Sequence, residues 1–161
     1  MPTESDDRLA LVLQSATDGI KQQEAGLDDL RARSSTLLAA AALSASFLGA
    51  ATFGEKGLSD VATGWVVVAL VGLAGVLAAV LYINWPRKWD WRVNPKSMLK
   101  DYVEAAEPAT LDSMRRDLAL HLNDAHVANE KKLRRLWKAL RIGMGSLVVE
   151  VVAFIVALAV R

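Results

Sequence analysis

The stretch Val61–Ile83, VATGWVVVALVGLAGVLAAVLYI, decides how the rest of the chain is read. It carries no charge, and at about 1.5 Å of rise per residue it is long enough to cross roughly 30 Å of hydrocarbon. Two more stretches share its character. Ser35–Phe53 is Ala-rich and modestly apolar, with Ser44, Ser46 and Thr52 along it, whereas Ile142–Val160 is rich in Val, Leu and Ile. Asp, Glu, Lys and Arg are absent from residues 34–54 and 61–86, and only Glu150 occurs within 142–160. The chain totals 161 residues, 53% hydrophobic, with 19 basic and 18 acidic residues, so a net charge of +1 conceals a strict sorting.

The length suits one domain and is too short for separate cofactor and substrate lobes. Without cysteine there is no disulfide scaffold and no thiolate metal site, and the apolar content excludes disorder. A soluble bundle is the competing reading. Helices hydrophobic all round must be deeply buried or face lipid, and a chain this small cannot bury three of them. The expected fold is therefore an all-α membrane protein. Transmembrane helices cover 35–53 and 61–83, and the third follows a cytoplasmic stalk within one segment, 110–160. A cytoplasmic amphipathic helix precedes them at 6–33, and 84–109 forms an interfacial connection.

Orientation follows from the basic residues. Lys21, Arg31 and Arg33 precede the first span, whereas the 54–60 loop holds Lys56 beside Glu55 and Asp60. Between the second and third spans lie Arg87, Lys88, Arg92, Lys96, Lys100, Arg115 and Arg116, then Lys131, Lys132, Arg134, Arg135, Lys138 and Arg141. The N terminus and the long connection are expected inside, and Arg161 outside. Trp65 marks the outer interface, and Tyr82, Trp85, Trp89 and Trp91 the inner one. The opening MPTESDDR is acidic, so no cleaved signal peptide is expected.

In the N-terminal helix, Leu9, Leu13, Ala16, Ile20, Gln23, Leu27 and Leu30 alternate spacings of four and three, a heptad seam that asks for a partner helix. Pro86 ends the second span, and Asn94-Pro95 predicts a cap opening a short helix over 96–107 with Met98, Leu99, Tyr102, Val103 and Ala106 on one face. In the last segment the apolar stripe Leu111, Met114, Leu118, Leu122, Ala125, Asn129, Leu133, Leu136 and Leu140 is expected to continue through Met144, Leu147 and Val151, with a bend near Gly143 and Gly145.

Three features are candidates for function. Glu150 lies about 12 Å into its span, near the midplane, where an acidic residue costs about 2.5–3.5 kcal/mol. The same depth reaches Ser44 and Gly75 on the other spans, so Glu150 is expected to face the bundle or a subunit interface, protonated or hydrogen-bonded to Ser44 or Ser46. Gly72 and Gly75 on the second span and Gly49 on the first mark faces for close helix approach. Lys131, Lys132, Arg134, Arg135, Lys138 and Arg141 form a basic cluster for anionic lipid or an anionic ligand. His121 and His126 stand five apart, off a common helix face, and nothing completes a metal site. No nucleophile motif, P-loop or dinucleotide fingerprint is present, and a charge of +1 without a reading motif argues against specific nucleic-acid binding. No enzyme, catalytic residue or cofactor is expected.

LDDLRARSSTLLAAAALSASFLG (27–49), the second span, and LNDAHVANEKKLRRLWKALRIGMGSLVVEVVAFIVALAV (122–160) together resemble the small bacterial transmembrane effectors of nucleotide-signalled antiphage defence, the Pycsar type nearest and SLATT-like proteins further off. The resemblance is one of layout over most of the chain. It implies a bacterial inner-membrane effector that binds a cyclic nucleotide, forms a homo-oligomer or rearranges, and impairs the bilayer. The departure is the lack of a separate nucleotide-sensing domain. Two other readings stay open: a non-toxic membrane scaffold docking a soluble partner through its cytoplasmic helices, and a small ion or proton channel using Glu150.

Overall fold

The computed structural model describes residues 4–52, 59–89, 95–104 and 109–160, and among these every regular element is helical. The order is α1 (Glu4–Thr52), α2 (Asp60–Asn84), the single turn α3 (Pro95–Met98) running into a π-helical turn at Leu99–Val103, and α4 (Leu111–Ala159). The expected amphipathic helix and first apolar stretch are thus one helix, as expected where no proline intervenes after Pro2. α4 likewise runs unbroken from stalk to apolar end. Phe53, Lys56, Trp91, Arg92, Asn94 and Ala106 lie outside the described residues.

Local chemistry sets the ends of α2. Ser59 is its N-cap, its hydroxyl accepting from the Ala62 amide at 3.2 Å, and Asp60 places a carboxylate in the first turn where the helix dipole favours it. At the other end Trp85 is extended (φ −58°, ψ 129°), the conformation that a following proline imposes. Pro95 opens α3, where its missing N–H costs nothing.

The chain divides into two compact units, Met1–Leu27 with Arg87–Arg134, and Asp28–Pro86 with Arg135–Arg161. In the first, Ile20 packs with Leu122 and Ala125, and Leu13, Ala16 and Leu118 surround them. The Gln23 side-chain amide donates to the His126 carbonyl at 2.9 Å, tying α1 to α4 through a long-range polar contact. Tyr102 donates to Asp117 at 3.4 Å, fastening the π-helical turn to α4.

Burial along α1 falls at Ile20, Gln23, Leu27, Leu30, Ser34, Leu37 and Ala41, the alternation of three and four that a heptad seam produces.

Toward Ser59 and Val160 the second unit inverts the usual distribution of side chains. There the buried residues are Ala62, Ala69, Gly72, Ala153 and Ala157, with Glu150, whereas Leu30, Leu37, Ile83, Leu136 and Leu140 are buried toward its other end. Its exterior carries Leu43, Phe47, Val71, Leu81, Val148 and Ile155, each more than half exposed. Small residues inside let helices approach closely, and large apolar ones outside suit a hydrocarbon solvent. Among the described residues, α2 and α4 are both long and apolar enough to cross a membrane.

This inversion corrects the stripe expected on α4. Beyond Leu140 the buried line runs Gly143, Glu150, Ala153, Ala157, while Met144 and Val151 face outward. Hydrophobic periodicity marks the inside of a protein in water. Where large apolar side chains gain nothing from burial, small residues mark the inside instead.

Candidate functional site

Along the second unit α2 and α4 run antiparallel, joined by a ladder of small residues. Ser59 donates to the Val160 carbonyl at 3.1 Å at one end, and Ala69 and Ala153 share a buried cluster with Val66 and Phe154 around them. Further along, Gly72 lies against Glu150, Gly75 against Ser146, and Ala79 against Gly143. The glycines are required by distance. A Cβ on Gly72 would stand 2.9 Å from the Glu150 Cβ, the Glu150 amide nitrogen and the Ser146 carbonyl. One on Gly75 would stand 2.6 Å from the Ser146 hydroxyl, and one on Gly143 2.9 Å from the Leu37 side chain of α1 and 3.0 Å from the Ala79 Cβ. Gly143 is therefore a three-helix contact point, and Ser146 is a member of the ladder that sequence reasoning missed. At Gly49 a Cβ would meet no described atom within 4 Å, so that position is not a point of close approach.

Glu150 is held where this ladder is tightest. It is 2% exposed, and neither carboxyl oxygen has a hydrogen-bond partner. The residue beneath it is Gly72, not Gly75. The depth count assumed spans of equal tilt and start, and the contact register is set instead by which residues are small enough to meet. Ser44 presents its hydroxyl near the carboxyl from α1 without closing a bond to it. Ser46 faces outward and bonds the Ala42 carbonyl of its own helix at 2.8 Å. Of the three expected polar partners, the structure brings Glu150 and Ser44 together and leaves Ser46 apart.

The basic cluster disperses around α4, because consecutive positions rotate by about 100°. Lys132 donates to the Lys88 carbonyl at 2.9 Å and lies 5.7 Å from the Trp89 ring. Arg134 pairs with Glu130 at 2.6 Å, and Lys131 is exposed. Arg135 and Lys138 line a groove between α2 and α4 with Tyr82. Arg141 lines another between α1 and α4 together with Arg33 and Trp137. Trp137 stands among these basic residues in the sequence, but its pairing with Arg33 was not expected; the Arg33 guanidinium sits 5.7 Å from the indole centroid, and only the tertiary contact makes that visible.

At the C-terminal end of α2, Asn84 donates to the Val80 carbonyl at 2.9 Å and to the Ser34 hydroxyl at 3.3 Å, a part-buried polar clasp between α2 and α1.

The first unit contains a groove of about 590 Å³ lined by Gln14, Ser15, Asp18, Gly19, Gln22, Asn123 and His126, with Leu11 and Ala16. It offers amide and hydroxyl groups and one carboxylate, but no Lys or Arg lines it. That chemistry suits a neutral or basic group better than a phosphate. Among the described residues no group of His, Asp and Glu is arranged to hold a metal ion.

The fold and site define an all-helical protein with two helices suited to crossing a membrane. No family model, curated protein or solved structure matches the chain.

Proposed function

We propose that this chain is a three-span membrane effector whose helical bundle rearranges, alone or with further copies, to impair the bilayer. The observation that carries the reading is Glu150, a carboxyl with two unbonded oxygens sealed beneath Gly72 at the middle of an apolar bundle. A buried polar group without a partner costs about 1–3 kcal/mol, more when charged. Any rearrangement that admits water or a polar group from another copy recovers that cost, so the packed bundle is biased toward opening. A housekeeping scaffold gains nothing from such a residue.

Chain continuity supports the reading of three spans. Ile20 of α1 packs with Leu122 of α4 in one unit, and Ser59 at the start of α2 bonds Val160 at the end of α4 in the other. If α4 crosses the bilayer between Leu122 and Val160, α1 must cross between Ile20 and Ser59 to reach the same side. Leu43 and Phe47, exposed on α1, then face lipid. The distribution of basic residues favours the N terminus inside and Val160 outside, and the resemblance implies a bacterial inner membrane.

The resemblance supplies a cyclic nucleotide as trigger. The groove beside His126, which this reading places in the cytoplasm, is large enough for a nucleotide, yet its lining favours contact with a base over contact with a phosphate. Dye release from liposomes, with the protein reconstituted and cyclic nucleotides added in turn, tests the proposal. Release of a small dye with at least one of them is expected. Intact liposomes under every condition would overturn the effector reading, and a proton current without dye release would instead favour the small channel, which uses the same carboxyl.

A further inference from the structure

The groove between α1 and α4 has a distribution of chemistry that no part of the preceding function requires. Its volume is about 560 Å³, and its rim carries Arg33 from one helix and Arg141 from the other, with the Trp137 ring between the two helices. Both arginines are the last charged residues before their helices turn apolar, so they share one level. Away from that rim the wall is Leu37, Ala40, Met144 and Leu147, which continues for about 9 Å of helix below Arg141. The Arg33 guanidinium lies 5.7 Å from the Trp137 ring, which fixes its position. Its Nε is engaged by Asp29 at 2.9 Å in an exposed pair, which leaves the two terminal nitrogens for an oxyanion. Two guanidiniums from different helices at one end and an apolar channel at the other match a molecule with an anionic head and a hydrocarbon tail.

We infer that this groove is a specific site for an anionic glycerophospholipid, its phosphate held by Arg33 and Arg141 and one acyl chain lying along Leu37, Ala40, Met144 and Leu147. A free phosphate would satisfy the arginines but leave the apolar wall uncovered, so the occupant is a lipid of the bilayer and not a soluble anion. The inference rests on the membrane reading above. It differs from general attraction of basic residues to the inner leaflet, because Lys131 and Arg134 on α4 lie outside the groove.

Native mass spectrometry of the full chain, released from nanodiscs of equal phosphatidylglycerol and phosphatidylcholine, tests it. Wild-type protein is expected to retain phosphatidylglycerol selectively. R33Q/R141Q should lose that preference, by about fivefold for each arginine removed. A40F, which fills the channel and keeps both arginines, should lose the bound lipid as well. K131Q/R134Q removes the same charge elsewhere and should keep it. Equal loss in K131Q/R134Q, or selectivity retained in R33Q/R141Q, would overturn the site. So would displacement of the lipid by millimolar inorganic phosphate. Failure of the membrane reading is separately visible. Wild-type protein that does not float with vesicles of either lipid defeats that reading, whereas protein that floats but retains both lipids equally defeats only the site.

Discussion

Glu150 shows how far a single residue can be read from the chain. Its depth followed from counting along an uncharged stretch, and its inward orientation from the cost of facing lipid with an acid. The pairing with Gly72 was not legible, since nothing in a linear sequence states which turn of one helix meets which turn of another. Nor was it legible that Ser44 approaches the carboxyl while Ser46 bonds the Ala42 carbonyl, a difference of two positions and about 200° around α1. The two unbonded oxygens lead to a direct expectation. E150L replaces a partnerless carboxyl with an apolar group of comparable size, so it should stabilise the folded state by about 1–3 kcal/mol. Thermal melting in detergent, followed by circular dichroism, reads this, and liposome leakage should fall in the same variant. A lowered melting temperature would mean that the carboxyl has a stabilising partner after all. E150Q, which keeps the shape and an unbonded amide, should melt close to wild type while losing leakage that depends on ionisation.

At the scale of the element, glycines on these helices divide by what stands opposite them. Gly26 faces the Leu133 side chain with room for an ordinary contact, 3.7 Å from where a Cβ would lie. Gly72 faces backbone and Cβ atoms of α4 at 2.9 Å, none of which can swing aside. G26A should therefore stabilise by about 0.5–1 kcal/mol, the usual gain from replacing a helical glycine. G72A, despite the same gain in propensity, should destabilise by about 1–3 kcal/mol because the helices must part. Melting both variants in one detergent compares them directly, and a G72A protein as stable as wild type would refute the register proposed for α2 on α4. The contrast also explains why the α4 stripe was misread past Leu140. In the first unit Ile20, Leu122 and Leu118 form a water-type core and apolar spacing reports it. Past Leu140 the buried positions of α4 are Gly143, Glu150, Ala153 and Ala157, mostly small, while Val148, Val152 and Ile155 face out. The seam of α1 was readable throughout because Leu27, Leu30 and Leu37 stay on its buried face.

For the whole molecule, the sorting of charge is consistent with a membrane protein, but composition alone leaves the number of crossings at two or three. The apolar part of α1 is Ala-rich and carries serines, so its crossing is argued from chain continuity. If only α2 and α4 crossed, the N-terminal part of α1 would emerge on the side of Val160. If α1 crosses too, it emerges beside the first half of α4, where Ile20 meets Leu122 and Ala125. The chain has no cysteine, so single substitutions report these positions without background. A10C and A128C place thiols on exposed positions of α1 and α4 in the first unit, and V160C places one at the far end of α4. With three spans and the inward orientation set by the basic residues, a membrane-impermeant maleimide added to cells with opened outer membranes should label V160C alone. A10C and A128C should react only after lysis. Labelling of A10C together with V160C would reduce the protein to two spans, and with it the placement of Ser44 beside Glu150 within the hydrocarbon would fail.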